Sequence, residues 1–295
     1  MKFLHAFLAL ALLVPAAPAI AQDGADAAGK EKVRQFLDSL HFQTGSVAVD
    51  RAHATLDLSG GFRFLAGDDA QRVLSELWGN PPDEDVVGML VPQGVSLVAK
   101  DSWVVVVSYS SDGYVSDKEA STIDYDKMMS EMQQNARDSN PQRRKQGYPE
   151  IEIVGWATPP HYDSTANKLY WAKELNFAGS HGHTLNYDIR VLGRGGYLSF
   201  NAVAGMDQLA MVQERMPRVL EMAKFDAGQK YTDFNSSTDK VAAYGIGALV
   251  VGAIAAKAGL FAKLLALLLA FKKFIIIGFV AVAAAVRKFF GRSSA

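Results

Sequence analysis

The chain contains no cysteine. That excludes a disulfide framework, a thiolate nucleophile and a cysteine-based zinc site, and it fits export to an oxidising compartment. A strong net charge is also missing. Lys+Arg number 30 against Asp+Glu 31, so there is no electrostatic case for a nucleic-acid partner. No G-x-S-x-G elbow and no Walker loop occurs. Acidic residues are absent from the last forty positions, where every charge is basic. That asymmetry fits a water-facing part joined to a membrane part.

What is present starts with an export signal. Lys2 gives a basic start, Phe3 to Val14 an apolar core, and Ala19-Ile20-Ala21 a small-x-small cleavage site. Residues 1–21 therefore read as a cleaved signal peptide. Residues 22–225 read as an exported, periplasmic α+β domain. Lys32 to Leu40 is expected to be a short helix, and the alternation from Gly45 to Leu65, broken at Gly60-Gly61, a hairpin. Asp68-Asp69 opens a helix that ends at Trp78-Gly79-Asn80-Pro81-Pro82. Val86 to Pro92 and Ser102 to Tyr109 are expected strands, and Ile123 to Ala136 a helix. Asn140 to Gly147 reads as a polar, basic loop. Ile151 to Trp156 reads as a strand, with Thr158 to Asp163 a stiff turn. Met206 to Phe225 is a helix interrupted at Pro217, and residues 226–240 form a polar tether.

The clearest local pattern runs from Asn167 to Gly205. Three alternating runs separated by glycine-rich breaks predict a three-strand antiparallel meander. Leu169, Trp171, Leu175 and Phe177 share a side, with Lys173 among them. Leu185, Tyr187, Ile189 and Val191 share another, as do Leu198, Phe200 and Ala202. Keeping apolar faces together sets Val191 opposite Leu198 and Ile189 opposite Phe200. The other face then collects Glu174, Asn176, Asn186, Asp188, Arg190, Ser199 and Asn201. It reads either as a solvated face with cross-strand ion pairs or as a ligand site in which Glu174, Asp188 and Asn201 flank Arg190. A guanidinium fork suits a carboxylate or phosphate.

Other candidate chemistry is sparse. His161 and Asp163 could supply a base and its orienter, which with Asp188 and Arg190 would make a hydrolase-like site. His181-Gly182-His183 sits in a loop, where histidine is unremarkable, and no metal or cofactor is expected. Trp78, Trp156 and Trp171 line either a core or an apolar cleft.

Residues 241–262 read as a transmembrane helix, with Lys257 snorkelling and Tyr244 at the interface. Residues 263–295 are basic and apolar. Lys272 and Lys273 would each cost about 2.5–3.5 kcal/mol at mid-bilayer, which disfavours an ordinary second span there. A short segment at 274–286 stays open. Ala248, Gly252 and Ala256 form a small-residue row of the kind that pairs membrane helices, so self-association or a membrane-protein partner is expected through it.

Seven ordered motifs then carry a resemblance. WGNPP at 78–82, VVGMLVP at 86–92, DGYV at 112–115, GWATPPHYD at 155–163, LYWAKEL at 169–175, LNYDIRVLGR at 185–194 and DKVAAYGIGALVVG at 239–252 resemble the DUF2167 family of bacterial membrane-anchored proteins. The resemblance implies a membrane anchor and carries over no activity and no catalytic residues. The expectation is an antiparallel, meander-rich α+β domain tethered to the inner membrane, with its bulk in the periplasm. Its role is expected to be non-enzymatic binding, with a periplasmic hydrolase-like enzyme as the alternative.

Overall fold

The computed structural model describes residues 23–58, 61–99 and 101–251. Its centre is an eight-stranded antiparallel sheet. In chain order its strands are β1 (Phe42–Gln43), β4 (Phe62–Ala66), β5 (Val86–Pro92), β6 (Val104–Ser110), β8 (Ile151–Asp163), β9 (Lys168–Phe177), β10 (Thr184–Leu192) and β11 (Tyr197–Gly205), in the spatial order β1-β4-β5-β6-β11-β10-β9-β8. A second sheet joins β2 (Ser46–Val49), β3 (Ala54–Asp57) and β12 (Ala223–Phe225). A parallel pair joins β7 (Tyr114–Ser116) to β13 (Val241–Gly245). The helices are α1 (Asp23–Asp38), α2 (Gly67–Arg72), which continues as a π-turn over Val73–Leu77, α3 (Tyr125–Lys145), α4 (Leu209–Met222) and α5 (Gly247–Val251).

Both faces of the large sheet are covered, so the central strands β6 and β11 bury side chains in both directions. On the first face, Leu56 of β3 and Val212, Met216 and Val219 of α4 pack on Val105, Val107, Ile189, Leu198 and Phe200. On the second face there are three separate apolar clusters among the described residues, a small one of Ile151, Leu175 and Phe177 and two larger ones. Ala70, Val73, Leu74 and Trp78 pack on β4–β6. Met129 and Met132 of α3, with Tyr231, Ile246, Leu249 and Val250 of the C-terminal segment, pack around Leu169 and Trp171. Each fully buried large apolar side chain contributes roughly 1.5–3 kcal/mol.

The meander register is as the apolar pattern requires: Ile189 faces Phe200, Val191 faces Leu198 and Leu192 faces Tyr197. On the other side of β10, the expected sharing of faces is corrected. Trp171 pairs with Asp188 and Lys173 with Asn186, so the apolar row of β9 lies on the same face as the polar row of β10. Matching apolar faces assumes one wet face. Here both are dry, and the β9 row goes with the helices of the second face.

Several local expectations are also corrected. β3 and β4 do not form a hairpin about Gly60-Gly61, because they belong to different sheets. The basic stretch at 140–147 is not a loop: α3 runs on to Lys145, and Arg143, Arg144 and Lys145 sit at its negative C-terminal end. Its N-terminus is capped by Asp124, which accepts the Lys127 N–H at 2.9 Å. Arg143 is buried and donates from Nε to the Pro149 carbonyl at 2.8 Å; burial lowers its pKa. Thr158 to Asp163 is not a turn but the second half of β8. The strand tolerates Pro159-Pro160 because it is a sheet edge and carries register shifts there. The expected helix to Phe225 stops at Met222, and Ala223–Phe225 joins β3 as a strand.

The expected signal peptide at 1–21 lies outside the described residues, as do Gly252, Ala256 and everything after Val251. Among the described residues, no helix is long and apolar enough to cross a membrane. The expected start of the span at Val241 is corrected: Val241–Gly245 is a strand, and helix begins at Gly247.

Candidate functional site

The polar row of β10 is buried. Asn186 is 0% and Asp188 1% exposed, and Asn201 and Ser199 are also buried. Alternation puts Asn186, Asp188 and Arg190 on one face of β10. Antiparallel pairing then brings Trp171 and Lys173 beside them from β9, and Ser199 and Asn201 from β11. Asp188 Oδ1 accepts from Asn201 Nδ2 at 2.8 Å and from Arg190 Nη1 at 3.1 Å. Arg190 Nη1 also donates to Ser199 Oγ at 2.5 Å, and its guanidinium lies 4.8 Å from the Trp171 ring centre. Lys173 Nζ is 3.6 Å from Asp188 Oδ2, an ion pair too long for a hydrogen bond.

Two cations thus share one carboxylate inside the protein. Asn186 Oδ1, Asp188 Oδ2, Asn201 Oδ1 and Trp171 Nε1 are buried with no hydrogen-bond partner among the described residues. A buried polar atom left unpaired costs about 1–3 kcal/mol. Lys173 and Arg190 are partly open, at 14% and 15% side-chain exposure.

Of the residues singled out in the sequence, Asp188, Arg190 and Asn201 come together. Glu174 does not: it pairs with Leu185 on the opposite face, and its Oε1 lies 2.5 Å from His183 Nδ1. Lys173 takes the place beside Asp188 that the sequence pattern assigns to Glu174. Its signal is present in the sequence, as a lysine in an apolar strand row.

His161 is exposed and pairs with Tyr170, which packs in the first-face core with Ile189. Asp188 points to the second face. The two residues of the hydrolase-like site therefore face opposite sides of the sheet. Asp163 closes the β8–β9 turn instead: its Oδ1 accepts the Thr165 and Ala166 N–H groups at 2.9 and 3.0 Å. Asn167 adopts φ 53° in the same turn. No group of three or more His, Asp or Glu side chains is placed to hold a metal among the described residues. The tryptophans form no common cleft. Trp78 packs with α2 and donates Nε1–H to the Leu97 carbonyl at 3.3 Å, whereas Trp156 and Trp171 belong to the other second-face cluster.

Sequence reasoning missed a second feature. The expected tether at 226–240 is a strap docked on the domain. Gly193 bridges Lys230, and the Arg194 N–H donates to the Gln229 carbonyl at 2.9 Å. The Arg194 guanidinium holds Asp239 by two bonds, at 2.7 and 2.9 Å, and keeps its carboxyl well below the usual range. Tyr114 stacks on Phe234 at 3.8 Å and on Tyr231 at 4.4 Å. Tyr231 donates its hydroxyl to the Val115 carbonyl at 2.9 Å. β13 then runs parallel to β7, Tyr244 Oη donates to Asp112 at 2.5 Å, and the Ile246 N–H reaches the Ser116 carbonyl at 3.0 Å. Burial, then the neighbouring Tyr197 and the bond to Asp112, raises the Tyr244 pKa. Polar composition marks this stretch as solvated. Its aromatic side chains and the Arg194–Asp239 pair are the signals against that.

A family model described as "Protein of unknown function (DUF2167)" matches residues 41–283. The chain belongs to the DUF2167 family. The DUF2167 match spans β1 through β13, so the buried polar row and the strap both lie within it. A search of the curated proteins found no match. Among solved structures, the chain is similar to the solution structure of cyanobacterial PsbP (CyanoP) from Synechocystis sp. PCC 6803. The identity is 13%, over 64% of this chain and 93% of that one, with a TM-score of 0.34.

Proposed function

We propose that this DUF2167 protein is a membrane-anchored envelope binding protein, exported to the periplasm and not itself an enzyme. Its ligand site is the polar row of β10, with Arg190 and Lys173 at the mouth, Asp188 and Ser199 holding Arg190, and Asn201 bonded to Asp188. The observation that carries this reading is the partial burial of two cations around one buried carboxylate, next to side-chain oxygens that lack a hydrogen-bond partner among the described residues. Unpaired buried polar groups oppose folding, and such arrangements concentrate at functional sites. The excess positive charge favours a small anion. Arg190 uses Nη1 for Asp188 and Ser199, which leaves its remaining donors for a carboxylate or phosphate. The opposed faces of His161 and Asp188 support binding over hydrolysis.

Anchoring is argued from the sequence: a signal peptide at one end and an apolar, basic segment at the other. The strap adds to it, because it holds the domain to the point where the apolar segment begins. The test is a thermal-shift screen of the full-length protein against small carboxylates and phosphates. A ligand at a hundred times its Kd stabilises the folded state by about 2.7 kcal/mol. The expected hit stabilises wild type and leaves Arg190→Ala unmoved. A hit that stabilises both proteins equally, or none across the panel, would remove the site. Recovery of the mature chain in the soluble cytoplasmic fraction would remove the anchoring.

A further inference from the structure

An open surface cavity of about 300 Å³ lies where the strap meets the domain, lined in part by the exposed Lys118 and Glu119, with Ser116, Ala242, Tyr244 and Gly245. It is built by close approach. Glu119 Oε1 accepts the Gly247 N–H at 3.2 Å, and a Cβ on Gly245 would overlap the Glu119 carboxylate. Gly245 therefore lets an acidic side chain lie flat against β13. The Lys118 ammonium and Glu119 Oε2 have no side-chain or backbone partner among the described residues. The site thus offers an exposed ammonium and one unbonded carboxylate oxygen at adjacent positions.

We propose that this cavity is a headgroup site for a zwitterionic phospholipid with a primary amine, that is, phosphatidylethanolamine. The proposal rests on the membrane-anchored reading. Place is the first argument: Ala242–Gly245 lead into the short helix Gly247–Val251, which docks on the domain, and the uncharged run continues to Ala256, so the cavity lies one short helix ahead of the segment taken into the bilayer. Val241 is 53% exposed beside it, an apolar side chain suited to the interface. Charge is the second argument. Lys118 and the Ser116 hydroxyl can donate to a lipid phosphate, and Glu119 can accept from an ammonium group. A choline headgroup has no N–H to give Glu119, and the one aromatic side chain in the lining, Tyr244, has its hydroxyl bonded to Asp112, so no aromatic cage is formed. A purely anionic headgroup would be repelled by Glu119.

The test is native mass spectrometry of the full-length protein released from nanodiscs of equimolar phosphatidylethanolamine and phosphatidylcholine. The expected result is about tenfold enrichment of phosphatidylethanolamine among retained lipids, as one or two charge-assisted contacts would give. Lys118→Ala and Glu119→Gln should each reduce that enrichment toward unity. The glutamine variant keeps an oxygen for the Gly247 N–H, so the strap stays docked. Equal retention of both lipids, or enrichment unchanged in both variants, would overturn the proposal. If the chain does not enter the nanodisc at all, it is the anchoring that has failed. In that case saturable, Lys118-dependent binding of free O-phosphoethanolamine would still support the site's chemistry, and its absence would overturn it.

Discussion

Arg194 grips Asp239 through two parallel hydrogen bonds, Nε to Oδ2 at 2.7 Å and Nη2 to Oδ1 at 2.9 Å, across 45 residues of chain. This fork clamps the strap to the turn between β10 and β11, and it ties the C-terminal segment to the meander that carries the polar row.

The clamp is expected to loosen in acid. The folded Asp239 pKa is depressed, first by the Arg194 bonds and then by the Asn235 N–H. A depressed carboxyl contributes stability above its unfolded pKa of about 3.9, and that contribution is lost as pH falls through the lower folded value. Melting temperature measured from pH 6 down to pH 2 should therefore fall more steeply below about pH 4 in wild type than in Asp239→Asn. Identical acid limbs would show that the clamp does not contribute.

The polar row should separate stability from binding. Asp188→Ala leaves two cations without their carboxylate and should cost about 3–5 kcal/mol in urea unfolding. Replacing Lys173, Asp188 and Arg190 together by Met, Leu and Met should be neutral or stabilising by about 1–4 kcal/mol, yet abolish ligand binding. A triple variant as unstable as Asp188→Ala would mark the row as structural.

Gly113 tests the strap's docking. Its φ is +111°, and a Cβ would lie 2.6 Å from the Lys240 carbonyl oxygen. Gly113→Ala should destabilise by about 1–3 kcal/mol and raise amide exchange across β13. Gly45→Ala is the control, since Gly45 also has positive φ, +80°, but open space around it. It should leave β13 protected. Equal exchange in the two variants would mean that β13 does not depend on this close approach.

The proposed membrane segment carries its own test, association through the small-residue row. Ala248, Gly252 and Ala256 repeat every four residues, which lets helices approach closely. Gly252→Leu should remove a cross-linked dimer or a co-purified membrane partner of the full-length chain in native membranes. A monomer without partner in both proteins would end that reading.

Much of the meander is legible because its information is local. Period-two apolar rows and a short glycine turn leave one register for β10 on β11, and Ile189–Phe200 and Val191–Leu198 follow from it. β9 is not legible in the same way. Its polar and apolar rows are equally clear, but which row meets Asp188 depends on α3 and the C-terminal segment, more than twenty residues away on either side, which dry the second face. Lys173 therefore enters the cluster and Glu174 leaves it. His161 and Asp163 read as partners in chemistry because they are near in sequence, but strand alternation and the β8–β9 turn give them separate tasks.

By itself the sequence determined the α+β class, the antiparallel meander and the family, because hydrophobic period and motif order are properties of the chain. Only the tertiary structure decided that the polar row is buried and that residues 226–240 form a docked strap. Burial and docking depend on which distant surfaces meet. Polar composition marks both stretches as solvated, and packing from elsewhere in the chain reverses that reading.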